Sequence, residues 1–161
     1  MALKRDIAVL STVPLFEALD EDALRLIAFS AENRVYRAGD MLFRRGEMSD
    51  GGYVVLSGAI ALDAADDGSP APVVASAGML IGELALIVDT VRPASAIVRE
   101  PCAVLKISRH VFRRVLEEFP ELAERVHAHC EAKLRNMTDE LSAIRRQLIL
   151  LDDSSPVTTR G

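Results

Sequence analysis

GMLIGELALIVDTVRPASAIV occupies residues 78–98 and does not read as one element. Gly82-Glu83 opens a short apolar run, Leu84 to Val88, which meets Asp89-Thr90 and then Arg92. A turn of helix starting near Glu83 would point backbone N–H groups outward, and such an end attracts anions. Gly82 would let a ligand approach the main chain closely. Arg92 could fold back and give paired hydrogen bonds to phosphate oxygens. Glu83 is anionic and cannot favour a phosphate, but it could accept hydrogen bonds from a sugar hydroxyl. Amide dipoles, one arginine and one glutamate describe a site for a sugar phosphate. A plainer reading has Glu83 and Arg92 paired with each other on the surface, and from these residues alone it is the commoner one.

On both sides of this stretch the chain alternates short apolar runs with turn residues. Gly39-Asp40, Gly46-Glu47, Gly51-Gly52, Gly58, Asp67-Gly68 and Gly78 punctuate residues 34–107. Between them lie Met41 to Phe43, Tyr53 to Leu56, Ala59 to Leu62 and Val73 to Ala75, followed by Ala94 to Val98 and Ala103 to Ile107. Many short strands with Gly-rich turns predict a sandwich or barrel, and Asp66-Asp67-Gly68 predicts a hairpin tip. Upstream, Pro14-Leu15-Phe16 predicts an anchored turn. Asp20 predicts the N-cap of a helix whose apolar positions are Leu24, Ile27 and Ala28. Downstream, Ser108 caps a helix through Glu118, and Pro120 suits the first turn of a second, longer one.

The ordered motifs resemble the cyclic-nucleotide-binding domain family. Gly82-Glu83-Leu84-Ala85-Leu86 and then Arg92-Pro93-Ala94-Ser95 are similar to its phosphate-binding cassette, with the gap between the halves kept. Gly46 to Gly58 looks like the family's other signature, a glycine–acid turn entering a strand that ends in a second glycine. Tyr36 to Asp40 resembles its first hairpin, and Pro14-Leu15-Phe16 its N-terminal turn. The resemblance covers about residues 12–135.

The resemblance implies a mainly β fold with flanking helices. This is a double-stranded β-helix (jelly-roll) barrel with an N-terminal helix, a phosphate-binding cassette helix and a long C-terminal helix. It implies cAMP or cGMP as ligand and no cofactor or metal. Glu83 would take the ribose 2′-hydroxyl and Arg92 the cyclic phosphate. Gly82 and the N–H groups of Leu84 and Ala85 would also face the phosphate, and Ser95, beyond Pro93-Ala94, the phosphate or the base. Pro93 departs from the pattern, because many members have Ala, Ser or Thr there. Proline has no N–H, and a lost neutral hydrogen bond of roughly 0.5–1.5 kcal/mol weakens binding about 2- to 10-fold. Ser95 offers a hydrogen bond to a guanine amino group, while the compactness of the chain favours cAMP.

Farther on, Cys130, Leu134, Met137, Leu141, Ile144, Leu148 and Leu151 are spaced 4, 3, 4, 3, 4, 3. That is a heptad seam, with Leu134, Leu141 and Leu148 at a and Met137, Ile144 and Leu151 at d. Glu140 at g and Arg145 at the following e form an attractive pair in a parallel homodimer. A seam packed back on the same domain would show a wider apolar stripe, so dimerisation is the reading preferred. By resemblance, Leu122 to Arg135 senses the pocket. The expected organisation is a nucleotide-binding barrel over 1–118, a lid and dimer helix over 119–151, and a disordered tail over 152–161.

Composition narrows the alternatives. The net charge of −5 opposes broad capture of nucleic acid. The longest uncharged stretch, residues 68–82, is 15 residues long and broken by glycine and proline, whereas a membrane span needs about 20 apolar residues. Asp6 interrupts what would be a signal-peptide core, and two cysteines make no disulfide framework. A cytoplasmic protein without a membrane span is expected. His127 and Glu131 share a helix face but lack a third metal ligand. With no Ser-His-Asp set, metal cluster or Walker-type loop, an enzyme is not expected. A regulatory module acting on an unknown downstream protein is the leading reading. The alternatives are a ligand-free dimeric scaffold and a truncated regulator of the catabolite-activator class, for whose winged helix-turn-helix the chain leaves no room.

Overall fold

The computed structural model describes residues 2–63, 73–133 and 135. The expected hairpin tip at 66–68, the seam residues Leu134, Met137, Leu141, Ile144 and Leu148, and the tail from 152 lie outside the described residues. Two compact units are distinguished, Met1–Val126 and His127–Gly161.

Helix α1 (Ala2–Leu10) leads into a 3-10 turn, Pro14–Ala18, and helix α2 (Glu21–Ser30). Asp20 caps α2 by accepting from the Ala23 N–H at 2.9 Å, and Leu24, Ile27 and Ala28 face the core, as their spacing requires. Strands β1 (Glu32–Tyr36), β2 (Met41–Phe43), β3 (Gly51–Asp63), β4 (Val73–Ala75), β5 (Leu80–Ile81) and β6 (Ser95–Ser108) follow. A second 3-10 turn, Leu84–Leu86, lies between β5 and β6. Helix α3 (Arg109–Glu118) is capped by Ser108, whose hydroxyl accepts from the Val111 N–H at 3.0 Å. Residues 120–133 are helical. Among the described residues no helix is long and apolar enough to cross a membrane.

All strand pairings are antiparallel, in the order β1-β6-β3-β4, with β2 added to β6 and β5 to β3. The two long central strands change partners along their length. The far end of β6 pairs with β1 through Cys102–Lys106, and its near end pairs with β2 at Ala96 and Ile97. Likewise β3 pairs with β5 at Tyr53 and Val54 and with β4 at Ile60 to Leu62. This is the strand exchange of a jelly roll, although the sheet does not close into a ring, because no ladder joins β1 to β4 among the described residues.

The bend that makes the exchange sits in the middle of the β3–β6 ribbon. The register shifts between Val55 and Ile60. Gly58 there has φ of +89°, and a Cβ on it would lie 2.4 Å from the Pro101 carbonyl oxygen. Pro101 donates nothing to a ladder, which confines proline to edges and bulges. The sequence therefore looks like four short strands where two bulged ones exist.

The sheet encloses Phe43, Tyr53, Val55, Ile60, Ile81, Val98 and Val104. A helical layer buries Leu10, Leu15, Phe16, Ile27, Phe112, Val115, Leu122 and Val126. The Phe16 and Phe112 rings, 5.9 Å apart, tie the N-terminal turn to α3. Helix α1 has no counterpart among the sequence expectations, in which the first element is the turn at Pro14-Leu15-Phe16.

Candidate functional site

The 3-10 turn Leu84–Leu86 begins where the apolar run predicts helix. It is held by short-range bonds: the Ala85 N–H donates to the Gly82 carbonyl at 3.1 Å and the Leu86 N–H to Glu83 at 3.2 Å. The Ala85 N–H is therefore engaged within the turn. Buried Ala85 and Leu86 anchor the turn, Gly82, Glu83 and Leu84 are half-buried, and Pro93 is exposed.

Arg92 is the central group. Its side chain is only 4% exposed, so the guanidinium lies inside the fold and not on its surface. Nη2 donates to the Gly51 carbonyl at 2.9 Å, and the guanidinium lies over the Phe43 ring at 4.1 Å from its centroid. The Tyr53 ring is 5.9 Å away and the Asp50 carboxylate 3.8 Å. Burial pushes the Arg92 pKa down, as does neighbouring Arg109, while Tyr53 and Asp50 push it up. An arginine so placed stays charged at neutral pH. The guanidinium is thus held between the Gly51 carbonyl, the Phe43 and Tyr53 rings and the Asp50 carboxylate.

The main chain around Arg92 is sewn to the loop before β3. The Gly46 N–H donates to the Arg92 carbonyl at 2.9 Å, and the Arg92 N–H donates to Glu47 at 2.8 Å. Ser49 repeats the arrangement with Thr90: its N–H reaches the Thr90 carbonyl at 2.8 Å and its hydroxyl the Thr90 hydroxyl at 3.0 Å. Ser95 is 1% exposed, and its Oγ accepts from the Arg45 N–H at 2.9 Å. Ser95 thus holds the loop, and Ala94 beside it is half-buried.

The structure brings Gly82, Arg92 and the loop 44–51 together. Two contributors escaped the sequence reading. Asp50 bridges Lys106, at 3.2 Å, and Arg92. Arg109 reaches back from α3 to Ala85, Asp89 and Ser49. Gly46 to Gly58 carried a signal for the first. The second had none, because the contact spans 60 residues between Arg109 and Ser49. Among the described residues no group of three or more His, Cys, Asp or Glu is placed to hold a metal.

Residues 33–119 match the family described as the cyclic nucleotide-binding domain. The chain is 32% identical over 104 residues to a cAMP-dependent protein kinase regulatory subunit of Yarrowia lipolytica, an alignment covering 63% of this chain and 26% of the relative. The chain therefore spans about a quarter of that relative's length. A solved cyclic nucleotide-binding-like protein from Brucella abortus is 42% identical, with a TM-score of 0.64, covering 70% of this chain and 97% of that one. The N-terminal domain of a transcriptional regulator from Streptomyces coelicolor is 29% identical, with a TM-score of 0.72, over 81% and 95% of the two chains.

Proposed function

Because the chain belongs to the cyclic nucleotide-binding domain family, we propose that it is a regulatory module that captures a cyclic nucleotide, cAMP in preference to cGMP, and signals through its C-terminal helix. The observation that carries this reading is the buried Arg92 guanidinium packed against Gly82 at the start of the turn. A cyclic phosphate is a monoanion with two exposed oxygens, and a planar guanidinium matches such a pair. Glu83 takes the ribose 2′-hydroxyl, an assignment resting on its place in the motif. Pro93 supplies no N–H, which weakens phosphate binding without removing it.

The preference for cAMP is supported by the relative named a cAMP-dependent kinase regulatory subunit and by Ser95. Its hydroxyl is buried and already accepts from Arg45, so it is poorly placed to turn toward a guanine amino group. The heptad spacing from Cys130 to Leu151 supports a homodimer, with the helix passing the binding event to a further protein. The role is binding, not catalysis. Calorimetric titration with cAMP, cGMP and 5′-AMP tests the reading. Saturable one-to-one binding is expected, tightest for cAMP, and equal affinity for 5′-AMP would contradict recognition of the cyclic phosphate.

A further inference from the structure

We propose that Arg109 is a positioning residue for the phosphate-binding turn: its guanidinium clamps residues 85–89 against the loop carrying Ser49 and Asp50, and so sets the turn beside Arg92. The consequence for ligand affinity rests on the cyclic-nucleotide reading above; the clamp itself does not.

The guanidinium reaches three separate points of the chain. Nε donates to the Ala85 carbonyl at 2.8 Å, at the buried middle of the turn. Nη1 pairs with the Asp89 carboxylate just beyond it. Nη2 donates to both the Ser49 carbonyl, at 2.9 Å, and the Ser49 hydroxyl, at 3.0 Å. The Arg109 side chain is 13% exposed. Its root is equally fixed, because its own N–H donates to the Asp50 carbonyl at 2.7 Å and the preceding Ser108 pairs with Gly51 across the ladder.

A 3-10 turn of three residues has poor internal hydrogen-bond geometry and cannot hold its own position. Glycine flexibility at Gly82 leaves its entry loose. Something outside the turn must therefore fix it, and the Arg109 fork does so by binding the turn and the opposing loop at once. Lysine cannot imitate this, since its donors radiate from a single nitrogen while the acceptors lie along three directions of a planar fork.

The test pairs amide hydrogen exchange on the nucleotide-free protein with calorimetric titration by cAMP, for wild type, Arg109→Lys and Ser49→Ala. Arg109→Lys loses the planar fork that binds the turn and the loop at once. Arg109→Lys should therefore speed exchange over residues 84–90 and weaken cAMP binding, each by about tenfold or more. Exchange in β3 and β6 should stay unchanged. Ser49→Ala removes one acceptor of the fork and also the Ser49 hydroxyl's bonds to Thr90, so only the amides of residues 84–89 are compared, and these should move in the same direction by less. Unchanged exchange over 84–90 in Arg109→Lys would overturn the proposal. So would faster exchange throughout β3 and β6, which marks a general stabiliser, or locally faster exchange with wild-type affinity. If wild type binds no cyclic nucleotide, the functional reading fails, and the exchange pattern alone still decides whether Arg109 is the clamp.

Discussion

A Cβ on Gly82 would stand 2.7 Å from Nη1 of Arg92, so the guanidinium occupies the space that any other residue would fill at position 82. Gly82 also has φ of +86°, a conformation that costs L-residues about 1–2 kcal/mol. The absence of a side chain at 82 is thus part of how the arginine is held. Gly82→Ala should displace Arg92 and weaken cyclic-nucleotide binding by about tenfold or more. Titration of the alanine variant checks this, and an affinity within threefold of wild type would separate the two residues.

Glu83 should act on the sugar. Replacing its partner rather than the residue gives the cleaner measurement. A 2′-deoxy cyclic nucleotide lacks one hydrogen bond to a charged acceptor, a loss of about 1.5–3 kcal/mol, or more than tenfold. Competition binding of the ribose and 2′-deoxy forms to wild type checks it. Equal affinities would remove Glu83 from the sugar site.

The stability of the fold should hinge on Gly58. Its positive φ and the 2.4 Å approach of the Pro101 carbonyl leave no room for a methyl group at the bend of the β3–β6 ribbon. Gly58→Ala should lower unfolding free energy by at least about 1–3 kcal/mol, the cost of a strained backbone conformation. Denaturant midpoints of the two proteins measure this. Unchanged midpoints would mean that the ribbon bends elsewhere.

Much of this arrangement is legible in the sequence because it is local. Asp20 and Ser108 announce their helices through short polar side chains that bond the backbone three residues on. Gly82 to Leu86 announces its turn through the Gly82-Glu83 pair that opens the apolar run and the Asp89-Thr90 pair that closes it. The continuity of β3 through Gly58 and of β6 through Pro101 is hidden, because a glycine and a proline read locally as breaks. Their meaning depends on facing each other across a ladder. The burial of Arg92 is hidden for the same reason, since its partners Phe43 and Gly51 are more than 40 residues away. The role of Ser95 in the fold is hidden in the same way, because its hydroxyl accepts from the N–H of Arg45, 50 residues away.

The C-terminal seam should set the oligomeric state. Leu141→Lys would place like charges at an a position and should convert a dimer to a monomer in sedimentation analysis. If the helix couples to the pocket, affinity for nucleotide must change as well, because coupling is reciprocal and amounts to about 1–3 kcal/mol. A variant that stays dimeric would show that the seam is not the interface. A monomer with wild-type affinity would show that no coupling runs through it.

The central claim is that Arg92 receives the cyclic phosphate. Calorimetric titration of wild type and Arg92→Leu with cAMP, under identical buffer, tests it most directly. Losing one partner of a buried charged pair costs about 2–5 kcal/mol, so binding should weaken by about 30-fold or more while the variant keeps its folded circular-dichroism spectrum. A folded Arg92→Leu protein that binds cAMP within threefold of wild type would contradict the claim.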